Sequence, residues 1–222
     1  MKHTITIKTI EKLTHNVLRV ETEKPANYNF KSGQATSVAI NKEGWDNETR
    51  SFTFTSLPNQ EHLEFVIKAY PSHKGVTNEV LNLEVGDQLL IEHPRGTINY
   101  KGEGVFIAGG AGVTPFISIL RELESNNKIG NNKLIFANKT TEDIINKEEF
   151  KQMLGENFIN ILSEEKSKEH FHGIIDKKFL EASGIKKHEY IYLCGPKPMM
   201  SSIEEHLNKL GINKDRIIKE EF

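Results

Sequence analysis

The chain is poor in cysteine and has no long apolar segment. Cys194 is the single cysteine among 222 residues. This excludes an intrachain disulfide framework, a four-cysteine zinc site and an iron–sulfur cluster held by this chain alone. The longest apolar run, residues 105–113 with their glycines, is far shorter than a membrane span. Residues 1–7 alternate polar and apolar side chains, unlike a signal peptide. The sequence therefore predicts a cytoplasmic protein that does not associate with membranes.

An excess of either charge is also absent. The chain has 29 Lys and Arg against 31 Asp and Glu, a net charge of −2. Nucleic acids and anionic membranes select clustered Lys and Arg, so neither is an expected partner. The nine histidines form no H-E-x-x-H zinc pattern. The best local pair, His170 and His172, is interpreted as surface strand residues, and no metal site is expected.

The first hundred residues have the pattern of β structure. Polar and apolar residues alternate in short segments that Gly, Pro and Asn separate, which is typical of an antiparallel barrel. One short helix, from about Val76 to Leu83, interrupts the series. The predicted strands cover residues 4–8, 16–21, 35–40, 50–55 and 62–68.

From about residue 100 the pattern changes to strands that alternate with helices. Such alternation predicts a parallel sheet with crossover helices, and hence a second domain over residues 101–222 after a first domain over 1–100. The predicted strands cover residues 104–108, 133–137, 159–162, 190–194 and 216–218, and the helices include residues 115–123, 148–151 and 199–210.

A glycine-rich turn joins the first of these strands to its helix. Gly109, Gly110 and Gly112 stand where doubly wound folds bind phosphates, and Thr114 is predicted to cap the helix with Pro115 in its first turn. The dinucleotide fingerprint is incomplete, because Pro115 replaces its third glycine. A tight turn without a ligand is the alternative.

Two other segments carry candidate chemistry. Cys194 ends the fourth predicted strand, at the sheet edge where ligands bind, although a lone cysteine is more often a small buried hydrophobe. Arg50 and Phe52 alternate with Ser51 and Thr53, which places the two pairs on opposite faces of a strand. Arginine can hold a phosphate through two hydrogen bonds, and a salt bridge at the barrel rim is the alternative.

In this order, the segments resemble the ferredoxin–NADP⁺ reductase-like family of flavin oxidoreductases. The resemblance covers essentially the whole chain and implies a six-stranded antiparallel barrel that holds flavin, followed by a five-stranded parallel sheet domain that holds NAD(P)H. The segments that carry it are residues 33–34, 50–53, 75–77, 94–96, 109–115, 194–196 with Met199, and an acidic chain end with a terminal aromatic.

The resemblance implies that Arg50, Ser51, Phe52 and Thr53 bind the flavin. Arg50 would hold its phosphates, and Thr53 would lie near its reactive N5. Phe52 occupies a position that is usually tyrosine, so the isoalloxazine contact remains but one hydroxyl hydrogen bond is lost. A second phosphate-binding turn would be formed by Gly75, Val76 and Thr77. In this family, an arginine such as Arg50 together with this second turn usually accompanies FAD, so the resemblance favours FAD over FMN.

The pyridine nucleotide would be surrounded by Gly110, Gly112, Thr114, Cys194, Gly195 and Pro196. Thr114 and Cys194 would lie nearest the nicotinamide. At the chain end, Phe222 would cover the isoalloxazine, and Glu220 or Glu221 would lie near Thr53. A frayed tail is the alternative for these last residues. Thr53, Cys194, Glu220 and Phe222 are thus the expected catalytic group.

The implied reaction is hydride transfer from NADH or NADPH to flavin, then electron release to a separate acceptor. A ferredoxin, a flavodoxin, an oxygenase component, free flavin or a ferric chelate could serve. Residues 138–143 follow the second strand of the sheet domain, and their acidic end favours NADH, whereas Lys139 could pair with a 2′-phosphate. A non-catalytic nucleotide-binding regulatory module on the same architecture is the alternative function.

Overall fold

The structure, a computed structural model, describes residues 2–70, 75–96 and 98–220. Its amino-terminal part is a sheet of six antiparallel strands in the order β4-β3-β6-β1-β2-β5. A bridge between Phe54 and Phe65 connects the ends of the series, where Thr55 N donates to Glu64 O at 2.9 Å. The predicted six-stranded barrel is thereby confirmed. Its strands are His3–Thr14 (β1), Val17–Glu23 (β2), Ala35–Ile40 (β3), Arg50–Thr53 (β4), His62–Lys68 (β5) and Gln88–Ile91 (β6).

The helix predicted inside the barrel half is shorter than expected. An α-helix covers Val76–Glu79 (α1), and a 3₁₀ turn over Val80–Asn82 continues it. Val76 and Val80 are buried in the barrel core, so packing rather than helix propensity holds this segment.

The carboxyl-terminal part is a parallel sheet in the order β10-β9-β8-β7-β11-β12. It has six strands rather than the predicted five. The additional strand is β10, whose Phe171 and His172 pair with β9. These residues are exposed and were interpreted as surface strand residues, but two residues are too short to show a period of two and were not counted in the sheet. The strands are Gly104–Gly109 (β7), Lys133–Asn138 (β8), Phe158–Leu162 (β9), Phe171–His172 (β10), Tyr190–Cys194 (β11) and Ile217–Lys219 (β12).

Helices cover this parallel sheet, as a parallel sheet requires. The longer ones include Thr114–Ser125 (α2), Lys147–Leu154 (α3), Lys177–Ala182 (α4) and Lys197–Lys209 (α5). Sequence analysis predicted α2, α3 and α5, whereas α4 was not predicted. None of the helices formed by the described residues is long and apolar enough to cross a bilayer.

The two sheets share an apolar seam. Val17 and Val66 of the barrel belong to the same buried cluster as Phe116 of α2. Gly33 lies against this helix with φ of +90°, and a Cβ there would lie 2.4 Å from the carbonyl oxygen of Ile98 and 3.0 Å from Cδ1 of Ile119 in α2. Glycine at position 33 therefore permits the barrel to approach α2 closely.

Candidate functional site

A cleft of about 690 Å³ lies between the barrel and the parallel sheet. The barrel contributes β4 and the end of β5, and the parallel sheet contributes the carboxyl ends of β7, β8 and β11. This edge of a parallel sheet is where doubly wound folds bind ligands, and the volume lies in the usual range for small-molecule sites.

Most of the residues predicted from sequence line this cleft together. The cleft residues among them are Arg50, Ser51, Phe52, Thr53, Thr77, Gly110, Gly112, Thr114, Cys194, Gly195, Pro196 and Glu220. Gly75 and Val76 do not line it. Gly75 lies beside Arg50, and the side chain of Val76 is buried in the barrel core. Glu221 and Phe222 lie outside the described residues, so their predicted positions stay predictions.

Arg50 lies beside the turn that begins at Gly75. A Cβ on Gly75 would lie 3.7 Å from Arg50 Nη2, so the guanidinium and the first turn of α1 are neighbours. Arg50 Nη1 donates to Thr49 O at 2.7 Å, and the side chain forms no ion pair within the described ranges. The salt-bridge alternative thus lacks a partner there, whereas the guanidinium and nearby helix N–H groups suit an anion.

Phe52 and Thr53 continue the same strand into the cleft. Phe52 is half-buried and packs against the barrel core, while Thr53 is buried and pairs with Ala35 of β3. The pairing with β3 thereby fixes where the side chains of Phe52 and Thr53 lie in the cleft wall.

The glycine-rich turn packs directly against the turn that follows β11. A Cβ on Gly112 would lie 2.4 Å from the carbonyl oxygen of Cys194, which leaves no room for a side chain. Residues Gly110–Val113 form a 3₁₀ turn before α2 begins. For this reason Thr114 does not cap the helix as predicted; it is the first residue of α2, and its hydroxyl donates to Ala111 O at 3.0 Å.

Cys194 and Glu220 both line the cleft and lie close to each other. Burial, and then the nearby Glu220 carboxylate, raise the pKa of the Cys194 thiol to about 12. Burial also raises the pKa of Glu220, and Arg95 opposes that shift. At neutral pH, Cys194 is therefore a neutral thiol, which is a weak nucleophile.

Lys68 and Asn138 also line the cleft, although sequence analysis gave neither residue a specific role. Lys68 ends β5, with Nζ 3.5 Å from Asp143 Oδ1 and 4.0 Å from the position of a Cβ on Gly110. Asn138 ends β8 and is 8% exposed, and neither polar atom of its side-chain amide has a hydrogen-bond partner in the portion that the structure describes. The position of Asn138 at a strand end was a usable signal; for Lys68 the sequence offered none.

The acidic segment after β8 is arranged differently from the expectation. Asp143 turns inward, where it accepts hydrogen bonds from Thr140 N and Oγ1 at 3.1 and 3.0 Å. Burial opposes ionisation of Asp143, but these hydrogen bonds and Lys68 hold its pKa below the ordinary value. Asp143 therefore does not line the cleft, whereas Lys139 of the same segment does.

Two carboxylates of the loop after β9 contact the segment that follows β8. Lys139 Nζ lies 2.8 Å from Glu164 Oε1, and Glu165 accepts from Thr141 N and Oγ1 at 2.7 Å each. His172 Nδ1 lies 3.0 Å from the carbonyl oxygen of Glu165. No group of three His, Cys, Asp or Glu side chains suited to a metal ion occurs within residues 2–70, 75–96 and 98–220.

Two family models match the chain in succession. The model for the oxidoreductase FAD-binding domain matches residues 4–100, and the model for the oxidoreductase NAD-binding domain matches residues 106–205.

Curated relatives extend over nearly the whole chain. NADH-cytochrome b5 reductase 1 of Aspergillus oryzae is 30% identical over 95% of this chain and 79% of its own length. The reductase component of propane 2-monooxygenase from Rhodococcus jostii is 31% identical over 96% of this chain. The chain spans 61% of that component, and 66% and 62% of the corresponding components from Mycolicibacterium smegmatis and Mycolicibacterium goodii.

Solved structures share the fold along the full length. The FAD/NAD-binding domain of nitric oxide dioxygenase from Vibrio cholerae has a TM-score of 0.87 at 22% identity, covering 99% of this chain and 98% of that domain. A ferredoxin NADP⁺ reductase from Neisseria gonorrhoeae, solved with FAD and NADP bound, has a TM-score of 0.85 at 18% identity, covering 98% and 97%.

Proposed function

We propose a reaction for this chain, which belongs to the ferredoxin–NADP⁺ reductase-like family of FAD- and NAD-binding oxidoreductases. The chain takes reducing equivalents from a nicotinamide nucleotide through FAD and delivers them to a separate redox acceptor. One observation carries this proposal: a single cleft brings Arg50 and Thr53 of the barrel together with Thr114 and Cys194 of the parallel sheet. We further propose that residues 1–100 are the FAD domain and 101–222 the nicotinamide domain, which the ranges of the two family models support.

The barrel side of the cleft fits FAD. Arg50 and the turn of Gly75 and Thr77 offer a cation and helix N–H groups for the phosphates, and Phe52 offers an apolar ring for the flavin. Bound FAD supplies the chemistry that accepts hydride and releases electrons. The protein contributes binding, orientation and exclusion of water.

The sheet side fits a nicotinamide nucleotide. Gly110 and Gly112 let a ligand approach the backbone, and Lys68 adds a positive charge beside the same turn. The unpartnered amide of Asn138 provides a donor and an acceptor at the carboxyl end of β8, and a buried polar group of this kind calls for a partner. Gly195 and Pro196 complete the wall beside Cys194.

Side chains at the centre hold protons rather than nucleophilic charge. Cys194 keeps its thiol proton because its pKa is raised, and Thr53 provides a hydroxyl in the same cleft. Glu220 lies near Cys194, and burial raises the pKa of its carboxyl group. We propose that Thr53, Cys194 and Glu220 orient the reacting rings, with Phe222 covering the flavin.

NADH is the proposed donor in preference to NADPH. Lys139, the cation that could have met a 2′-phosphate, is already paired with Glu164, and Glu165 adds a second carboxylate to the loop after β9. Carboxylates repel a phosphate and can accept hydrogen bonds from a ribose. Specificity constants for the two nucleotides test this; a roughly tenfold preference for NADPH, about 1.4 kcal/mol, would contradict it.

The acceptor is proposed to be a separate redox protein or small molecule, with a ferredoxin, a flavodoxin or an oxygenase component as candidates. The names of the relatives support this class, since they include reductase components and cytochrome b5 reductases. A cytoplasmic location stays a prediction.

Purification and titration test the proposed function. We expect a yellow protein that releases FAD on denaturation and whose flavin absorbance disappears when NADH is added without oxygen. A protein that takes up neither FAD nor FMN contradicts the assignment. A protein that binds FAD but is not reduced by NADH or NADPH supports the non-catalytic alternative.

A further inference from the structure

Helix α2 is fixed to the barrel at two points beyond the glycine-rich turn. The first is a hydrogen bond from Gly33 N to Ser118 Oγ, at 3.0 Å. The second is Arg121, which lies one helical turn further along α2 and contacts the barrel through its side chain. Neither Ser118 nor Arg121 lines the cleft, so both contacts lie behind the site rather than in it.

All three guanidinium nitrogens of Arg121 donate hydrogen bonds at the seam. Nε and Nη2 donate to the two oxygens of Glu149, at 2.5 and 3.0 Å. Nη1 donates to Glu64 Oε1 at 2.7 Å and to the carbonyl oxygen of Thr55 at 2.9 Å. Glu64 and Thr55 belong to the barrel, whereas Glu149 belongs to α3. Arg121 thus connects three elements from both halves of the molecule.

The contacts close into a ring, which we call the seam cluster: Arg19, Glu64, Arg121, Asn146 and Glu149. Arg19 Nε lies 3.5 Å from Glu64 Oε2, and Arg19 Nη2 donates to Asn146 Oδ1 at 3.3 Å. Asn146 Nδ2 donates to Glu149 Oε2 at 2.7 Å. Glu64 is 5% exposed, so its hydrogen bonds are shielded from water and from salt.

The cluster joins the elements that carry the two halves of the cleft. Glu64 lies on β5, the strand that ends in the cleft at Lys68, and Arg121 lies on α2, the helix that begins in the cleft at Thr114. Apolar contacts can slide, whereas a bidentate guanidinium fixes both distance and angle. A shift of these elements would move the flavin and nicotinamide positions relative to each other.

We propose that Arg121 is a positioning residue for hydride transfer, acting through α2 and the seam cluster to set the spacing between the two halves of the cleft. This inference rests on the proposed function. Stability alone does not identify such a role, because removing one partner of a buried ion cluster leaves an uncompensated charge and destabilises the fold whether or not the cluster positions the site. Hydride transfer, in contrast, is sensitive to displacements of about 1 Å.

The test compares Arg121→Met with Arg121→Lys and a matched control. Asp87→Asn serves as the control because Asp87 pairs with Lys42 on the surface of the barrel, so this ion pair does not cross the seam. For each FAD-loaded variant, the limiting rate of flavin reduction at saturating NADH is separated from the nucleotide Kd. Amide hydrogen exchange along α2 in the apoprotein gives a readout that is independent of catalysis.

We expect Arg121→Met to lower the limiting rate by about tenfold or more, since geometry is lost, while FAD content and nucleotide Kd stay within about threefold. Exchange along α2 should rise. Arg121→Lys should recover part of the rate, and Asp87→Asn should match the wild type in rate and α2 exchange.

An Arg121→Met variant with the wild-type limiting rate would overturn the inference, even if its melting temperature fell, because the role would then be structural only. A fall in FAD content or affinity that accounts for the whole loss would overturn it too. A wild type that binds FAD but is not reduced would instead refute the proposed function, and the α2 exchange would still report whether the cluster fixes the helix.

Discussion

At the scale of single residues, Arg50 is the proposed ligand of the FAD phosphates. Its guanidinium lies beside Gly75, and no ion pair within the described ranges occupies it. We expect Arg50→Ala to weaken FAD binding roughly tenfold to a hundredfold, because a charge-assisted hydrogen bond contributes about 1.5–3 kcal/mol. Arg50→Lys keeps the positive charge but loses the bidentate guanidinium, so its FAD affinity should lie between those of the wild type and Arg50→Ala. FAD titration of the apoproteins measures this; equal affinities would place the phosphates elsewhere.

Cys194 is expected to position the nicotinamide rather than to react. Cys194→Ser should slow flavin reduction while FAD content stays unchanged, because the geometry of the reacting rings is disturbed without loss of the barrel site. Stopped-flow reduction with NADH measures the rate. A variant that is reduced as fast as the wild type would show that Cys194 is core packing.

The same residue gives a pH test. Because burial raises the pKa of the thiol to about 12, the reactive thiolate is scarce throughout the neutral range and increases only as pH approaches that value. Alkylation of the native protein should therefore be slow at pH 7 and speed up after denaturation, where the pKa returns to its ordinary value of 9.0. Rapid alkylation of the native protein at pH 7 would contradict this environment.

At the scale of elements, the packing of two turns at the sheet edge determines which residues fit. In Gly112→Ala the new Cβ would meet the carbonyl oxygen of Cys194 at 2.4 Å, so one turn must move. We expect a stability loss of about 1–3 kcal/mol and weaker nicotinamide binding, because overpacking displaces the phosphate-binding backbone. FAD content is the internal control, since the barrel is untouched. Unchanged NADH affinity would indicate that this turn does not contact the nucleotide.

At the scale of the whole molecule, Asp143 is a second ionic connection between the two halves. Its carboxylate lies near Lys68 and His15 of the barrel and accepts hydrogen bonds from Thr140. Because the pKa of Asp143 is lowered in the folded state, its ionised carboxylate stabilises the fold at pH values above its ordinary pKa of 3.8. This stabilisation is lost as the pH falls through the pKa of the folded state.

Asp143→Asn should therefore be less stable than the wild type at pH 7, and the difference should shrink at acid pH. Thermal unfolding across this pH range measures the difference. Asp176→Asn is the control, since Asp176 caps α4 at Phe179 N and asparagine caps equally well. A difference that persists unchanged below the folded pKa would show that charge is not the cause.

The sequence predicted those parts of the fold that depend on neighbours along the chain. Period-two segments such as β5, the strand before the glycine-rich turn and the amphipathic α2 all repeat a local pattern, so their type and approximate bounds follow from it. The pairing of the two-residue β10 with β9 and the split of α1 did not follow, because pairing and packing depend on residues distant in the chain. The helix start shifted for a similar reason, since the 3₁₀ turn at Gly110 replaced the expected cap at Thr114.

The candidate site divides in the same way. Sequence by itself determined the residue types that suit phosphates and flavin, such as Arg50 and the glycines, since their chemistry and backbone freedom are local properties. Only the tertiary structure decided that Arg50 and Cys194 share one cleft, that Lys68 meets Asp143, and that Arg121 joins Glu64 to Glu149. These contacts join residues far apart in the chain, and their geometry depends on how one sheet is placed against the other, which no local pattern encodes.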